Sequence, residues 1–167
     1  MPLLKDGLPT EDAWRLAESE EDLDRDGPIF VTPELWRSAR ARLAGRNAPL
    51  GLRLRSDQSP EELAEDLPHF KAVALEFPKF TDGRPYSYAR ILRERLGFRG
   101  ELRAVGTVLR DQLAFMRRCG FDAVEFDAPD AAAGWSAATR EFNAWYQPAS
   151  EGDQPIPALR RRLQAAE

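Results

Sequence analysis

Short apolar runs recur along this chain at intervals of roughly 20 to 30 residues, the rhythm of strand–helix units. They fall at Ile29–Val31, Leu50–Leu54, Ala72–Phe77, Leu102–Val105 and Ala123–Phe126. Each is strand-sized, and helix punctuation stands between them. Thr32 as N-cap, Pro33 in the first turn and Gly45 as a stop predict one helix. Ser59-Pro60-Glu61-Glu62 repeats that signature and predicts a short helix ending near Asp66. Further helices are predicted from Tyr86 to Leu96, stopped by Gly97, and from Val108 to Cys119, capped by Thr107 and stopped by Gly120. Another is predicted from Ala131 to Tyr146. This alternation predicts an α/β fold of repeated βα units around a mainly parallel five-stranded sheet, with right-handed crossovers.

The two ends break the rhythm. Residues 1–27 read as an irregular N-terminal segment packing on the core. Within it Lys5-Asp6-Gly7 resembles a hairpin turn among Leu3, Leu4 and Leu8, and Glu18 to Asp26 reads as a solvated acidic loop. Residues 28–147 form a single α/β domain, and 148–167 a C-terminal tail. Pro148, Gly152, Pro155 and Pro157 open the tail as a linker, and a short helix over 158–166 is possible beyond it.

Strand side chains alternate between faces. One face gathers Leu52, Leu54, Val73, Leu75, Leu102, Ala104, Val124 and Phe126, which pack under helices. The other gathers Arg53, Ala74, Glu76, Arg103, Val105, Ala123 and Glu125. A doubly wound sheet, buried on both sides, would read as continuous apolar runs. The charged face points instead to a partial, half TIM-barrel-like sheet with a polar concave side; a flavodoxin-like open sheet is the alternative. A full barrel needs about 250 residues, more than the chain has. Cross-strand ion pairs that merely solvate the face also account for these charges.

Composition narrows the function classes. The hydrophobic fraction of 43% suits a folded domain. A net charge of −4 gives nucleic-acid binding no support. No apolar run is long enough for a membrane helix, and the N-terminus lacks the layout of a signal peptide, so a cytoplasmic protein is expected. Cys119 is the single cysteine and His69 the single histidine. One chain therefore cannot ligate an iron–sulfur cluster through four thiolates or build a Cys/His zinc site. No metal site is assigned, and the cofactor, if any, is unknown. A Ser-His-Asp triad would have to use His69, which reads as a surface or structural residue. Cys119 reads as a buried structural thiol.

The densest chemistry lies between Glu76 and Arg90, in a turn at the carboxyl end of a predicted strand, where α/β proteins bind ligands. Lys79, Thr81, Arg84, Gly106, Thr107 and Arg110 are the candidates for binding a small anion, the Gly106-Thr107 backbone N–H groups included. Asp82, Glu125 and Asp111 are the candidates for acid–base chemistry. No nucleophile–base pair and no GxGxxG or Walker pattern accompanies them.

Several of these motifs resemble the core signature of an uncharacterised bacterial family. They are Phe77-Pro78-Lys79-Phe80-Thr81-Asp82-Gly83-Arg84 with Tyr86-Ser87 and Ala89-Arg90, then Leu92-Arg93-Glu94-Arg95 and Gly100-Glu101-Leu102-Arg103-Ala104-Val105-Gly106. Leu109-Arg110-Asp111-Gln112 and Met116-Arg117-Arg118-Cys119-Gly120-Phe121-Asp122 complete the set. Members of that family are typically encoded beside assimilatory sulfite or nitrite reductase genes and are often labelled probable oxidoreductases of sulfite reduction. The similarity runs from Trp14 to Gln147 and is densest from Phe77 to Asp122. It implies a place in sulfur assimilation, with sulfite reductase as a possible partner, and supplies no catalytic residue. The chain itself shows no cluster ligands, dinucleotide loop or flavin fingerprint. The leading expectation is therefore an accessory protein of assimilatory sulfite reduction, binding the reductase or an anionic ligand at the strand-end site. The alternatives are a small oxidoreductase or other enzyme acting on an anionic sulfur metabolite, and a structural homodimer joining two polar sheet faces.

Overall fold

A computed structural model describes residues 3–126 and Ser150. The helix predicted over 131–146 and the tail after 147, apart from Ser150, lie outside the described residues. Among the described residues eight strands form one sheet: β1 (Leu3–Lys5), β2 (Leu8–Thr10), β3 (Arg15–Leu16), β4 (Ile29–Val31), β5 (Leu50–Leu54), β6 (Ala72–Phe77), β7 (Glu101–Gly106) and β8 (Ala123–Glu125). Their spatial order is β2-β1-β8-β7-β6-β5-β4-β3. From β3 to β8 every strand lies parallel to its neighbour in sequence. That consecutive order is the order of a βα barrel, whereas a flavodoxin-like sheet interleaves its strands. The sheet curls into a half barrel, as the polar second face of the strands predicts.

The five predicted strands are β4 to β8. The N-terminal residues, read from sequence as irregular, add three more. β1 runs antiparallel to β8, and β2 pairs back on β1. The β1–β2 hairpin turns through Asp6 and Gly7, both at positive φ (50° and 81°), as the two-residue hairpin loop requires. β3 is two residues long and flanks β4 at the far edge. Such short strands carry too few side chains to show an alternating pattern.

The described residues also form the α-helices α1 (Pro33–Ser38), α2 (Arg40–Ala44), α3 (Arg84–Arg90) and α4 (Leu113–Arg118). Thr32 caps α1 by accepting from the Leu35 N–H at 3.3 Å, as expected. The single helix predicted up to Gly45 breaks at Ala39, which has left helical geometry (φ −116°, ψ 24°). The segment after Ser59 forms 3-10 turns over Pro60–His69. The main core joins Leu52, Leu54, Val73, Leu75, Phe77, Leu102 and Val124 on the convex face to Trp36, Leu43, Leu67, Leu92, Leu113 and Met116. The concave face holds a separate small cluster of Phe30, Ala72, Ala74 and Val105, covered by Trp14 and Leu16.

After α3 the chain widens into a π-helical turn over Ile91–Arg95. The turn carries Arg93 into the protein, where its side chain is 2% exposed. Its guanidinium donates to the carbonyls of Phe98, Gly100 and Gly120, each at 2.9 Å, and to Asp122 Oδ2 at 2.6 Å. The same Asp122 oxygen accepts from the Leu102 N–H at 2.8 Å. The Arg93 side chain thus ties its own turn to residues 98–102 and 120–122. A Cβ at Gly120 would stand 2.6 Å from Arg93 Cγ, so this position has room only for glycine while Arg93 stays in place.

Candidate functional site

The strand-end turn after β6 folds on itself. Asp82 Oδ1 accepts from the backbone N–H of Arg84 at 3.1 Å and from its Nε at 3.0 Å; Oδ2 accepts from Nη2 at 2.7 Å. Arg84 Nη2 also donates to Ser56 Oγ at 2.9 Å, and Tyr88 donates its hydroxyl to the Ser56 carbonyl at 3.3 Å. This network ties the β5 and β6 loops together. The Arg84 guanidinium beside Asp82 holds that carboxyl well below the usual range, so Asp82 stays ionised and is no proton donor near neutrality. Arg84, assigned from sequence to an external anion, is occupied by Asp82.

The β7 loop reaches the same rim. Gln112 Nε2 donates to the Phe80 carbonyl at 2.8 Å, and its Oε1 accepts from the Leu109 N–H at 3.1 Å. One side chain therefore clamps the 78–83 turn to the start of the next helix. Gly106 sits at φ +95°, and a Cβ there would stand 2.6 Å from the Phe77 carbonyl oxygen. The Thr107 N–H donates to that oxygen at 2.8 Å. Gly106-Thr107 thus crosses the end of β6, and the Thr107 N–H does not face an anion. The helix begins at Arg110 rather than directly after Thr107.

Lys79, Thr81, Thr107, Arg110 and Asp111 are exposed. Among the described residues their side chains enter no hydrogen bond or ion pair. Tyr86 packs among Phe77, Phe115 and Phe121, its ring centroid 5.0 Å from that of Phe77, and burial pushes its hydroxyl up to about 12. It is a packing residue at physiological pH.

Glu125 lies elsewhere, on the concave face. Among the described residues no contact joins it to Lys79, Asp82 or Arg110. Arg103 is the centre of that face, its side chain 1% exposed. Its Nε and Nη2 donate to Glu101 Oε1 at 3.0 and 2.8 Å, and Nη1 donates to Asp12 Oδ2 at 2.7 Å. Nη1 also stands 3.9 Å from Glu125 Oε1. The guanidinium lies over the Phe30 ring at 5.1 Å. Lys5 adds an ion pair to Glu101 at 2.8 Å, and Arg53 meets Glu76 at 3.3 Å. Burial pushes the Glu101 carboxyl up, but Lys5 and Arg103 outweigh it and the net direction is down. For Glu125 burial dominates, and its carboxyl lies above the ordinary range despite Arg103 and Arg53. The concave charges are thus a layer of ion pairs, and the N-terminal strap closes part of it. Trp14 stacks on Phe30 with centroids 4.7 Å apart, above Gly51, where a Cβ would stand 2.5 Å from the Phe30 ring.

The other singular residues are structural. Cys119 is buried, and burial pushes its thiol up to about 11. The exposed His69 lays its ring 5.2 Å from Trp36. A cleft of about 190 Å³ opens at the amino end of β5, beside Leu43, Arg46 and His69. The Arg46 guanidinium there is held by the carbonyls of Leu23, Arg25 and Gly27. Among the described residues, no three His, Cys, Asp or Glu side chains gather as a metal site, and no helix is long and apolar enough to cross a membrane.

Arg93, Asp122, Asp12, Ser56 and Gln112 escaped the sequence reading as organising residues. Only Gln112 left a local signal: it stands three residues after Leu109, the spacing at which a side chain reaches back to a helix's first N–H.

These features define an α/β half barrel with an ion-paired concave face and a clamped, polar rim at the carboxyl ends of its strands. The chain belongs to the family described as bacterial protein of unknown function (DUF934), whose model matches residues 51–157. That match takes in the Ser56–Asp82–Arg84 network, the Gln112 clamp and the Arg93 lock. No curated protein matches the chain at a significant level.

Proposed function

We propose that this protein is a cytoplasmic accessory protein of assimilatory sulfite reduction, binding the reductase or an anionic ligand at the rim formed by the β6 and β7 loops. One observation carries the binding half of this reading. Among the described residues Lys79, Thr81, Thr107 and Arg110 stand exposed without partners, on two loops that Gln112 clamps together, whereas Asp82 and the concave carboxylates lie in ion pairs. Preorganised, unpartnered donors suit recognition. A carboxylate held ionised by its own arginine does not suit proton transfer. The sulfite half rests on the resemblance of Phe77–Asp122 to proteins encoded beside the reductase genes.

A deletion strain tests it. Loss of growth on sulfate and sulfite, with rescue by sulfide, is the expected result. Normal growth on sulfite as sole sulfur source would refute the role.

A further inference from the structure

Four large apolar side chains are exposed among the described residues: Leu8 at 68%, Phe80 at 51%, Leu109 at 39% and Phe115 at 49%. Three of them belong to the rim. Gln112 bonds both the Phe80 carbonyl and the Leu109 N–H, so those residues are held as neighbours. Phe115 follows one helical turn after Gln112, its ring centroid 4.9 Å from Tyr86 of α3. A small oxyanion gains nothing from three exposed apolar groups, whereas a protein surface gains by burying them. Each loop sets its apolar residue beside an exposed cation that is unpaired among the described residues, Lys79 next to Phe80 and Arg110 next to Leu109. Arg84 is neutralised by Asp82.

From this we infer that the rim is a docking surface for a folded protein. Its occupant presents an apolar centre flanked by carboxylates that meet Lys79 and Arg110. The inference rests on reading the rim as a binding site and fixes the class of its occupant as macromolecular. Apolar side chains supply the contact, and the two cations set orientation and encounter rate.

Photo-crosslinking in the native bacterium tests this with the full chain. A benzophenone amino acid replaces Phe80, Leu109 or, as control, Leu8. Discrete protein adducts are expected from the first two positions and not from the third. Adduct yield should fall by roughly tenfold or more in an Arg110→Glu background, because like charges placed across an interface repel strongly. The partner, identified by mass spectrometry and purified, should bind the wild-type chain more weakly as salt rises and bind Arg110→Glu poorly. Absence of adducts at Phe80 and Leu109, equal yield from Leu8, or indifference to Arg110→Glu would each overturn the docking surface. A salt-sensitive partner other than sulfite reductase would uphold the surface and refute the sulfite reading.

Discussion

The Arg93 guanidinium meets the Asp122 carboxylate at 2.6 Å, joining the helix after β6 to the start of β8. Removing either group leaves buried polar partners behind. Arg93→Ala should cost about 3–5 kcal/mol of unfolding free energy, the usual penalty for breaking a buried pair from one side. Arg93→Lys should recover little of it, because an ammonium cannot reproduce the guanidinium's spread of donors. Chemical denaturation followed by circular dichroism measures both; a loss below about 1 kcal/mol would show that the lock is not structural.

Gly106 and Gly27 form a matched pair. Both sit at positive φ, +95° and +91°. Alanine at either carries backbone strain on the order of 1–3 kcal/mol. Around Gly27 nothing lies within 4 Å of an added Cβ, while at Gly106 the Phe77 carbonyl stands 2.6 Å away. Gly106→Ala should therefore be the costlier by about 1 kcal/mol or more, since overpacking adds to strain. Equal melting temperatures would rule out the close crossing of the two strand ends.

Glu125 gives the concave face a pH signature. Burial raises its folded-state pKa above the ordinary 4.5. The folded protein then holds this proton more tightly than the unfolded chain does. Its contribution is fully present below the unfolded value and disappears as pH rises through the folded one. Glu125→Gln should raise thermal stability near neutral pH, with the gain vanishing in the acid range. Asp82 has the opposite sign: Arg84 depresses its pKa, so its contribution is present above the unfolded value and fades as pH falls. Asp82→Asn should destabilise at neutral pH and progressively less in acid. Thermal melts across pH check both signs.

Asp12 anchors the N-terminal strap. Asp12→Ala removes one partner of the buried Arg103, which keeps Glu101, so the cost should be about 1–3 kcal/mol. Trp14 should then loosen from Phe30 and become more wetted. Hydrogen exchange of residues 12–17 reports the same release, and unchanged protection there would contradict the strap.

At the rim, stability and function should separate. Lys79→Ala and Arg110→Ala remove exposed side chains that have no partner among the described residues and should leave stability within about 0.5 kcal/mol of wild type. Both should fail to restore sulfite-dependent growth in a deletion strain. Full complementation by both would exclude the rim as the working surface.

Much of this fold is legible in the residues. The apolar runs of β4 to β8 mark their own positions, and the charged alternation of Arg53, Glu76, Arg103 and Glu125 separates a half barrel from a doubly wound sheet. Asp6-Gly7 also shows its turn. Relationships across long separations do not show. Arg103 finds Asp12 across 91 positions, which no local period reveals. Arg93 reads as one more arginine on a basic helix, because 3.6-residue spacing cannot anticipate a π turn that swings it inward. Arg84 reads as available because its cationic chemistry is visible in sequence, whereas the return of Asp82 onto it depends on how the turn closes. The bringing together of Phe80 and Leu109 likewise needs the Gln112 clamp, whose two partners lie on different loops.

The hairpin limits growth of the sheet at its β2 edge. In a two-residue hairpin the backbone N–H and C=O groups of the closing pair Lys5 and Leu8 point at each other, and those of Thr10 point at Leu3, leaving Pro9 as the β2 residue whose backbone groups point away from β1. Proline has no N–H to offer, so an incoming strand finds an acceptor without a donor. That margin is thereby a poor template for a further strand, and it blunts edge-to-edge pairing between copies of the chain at β2.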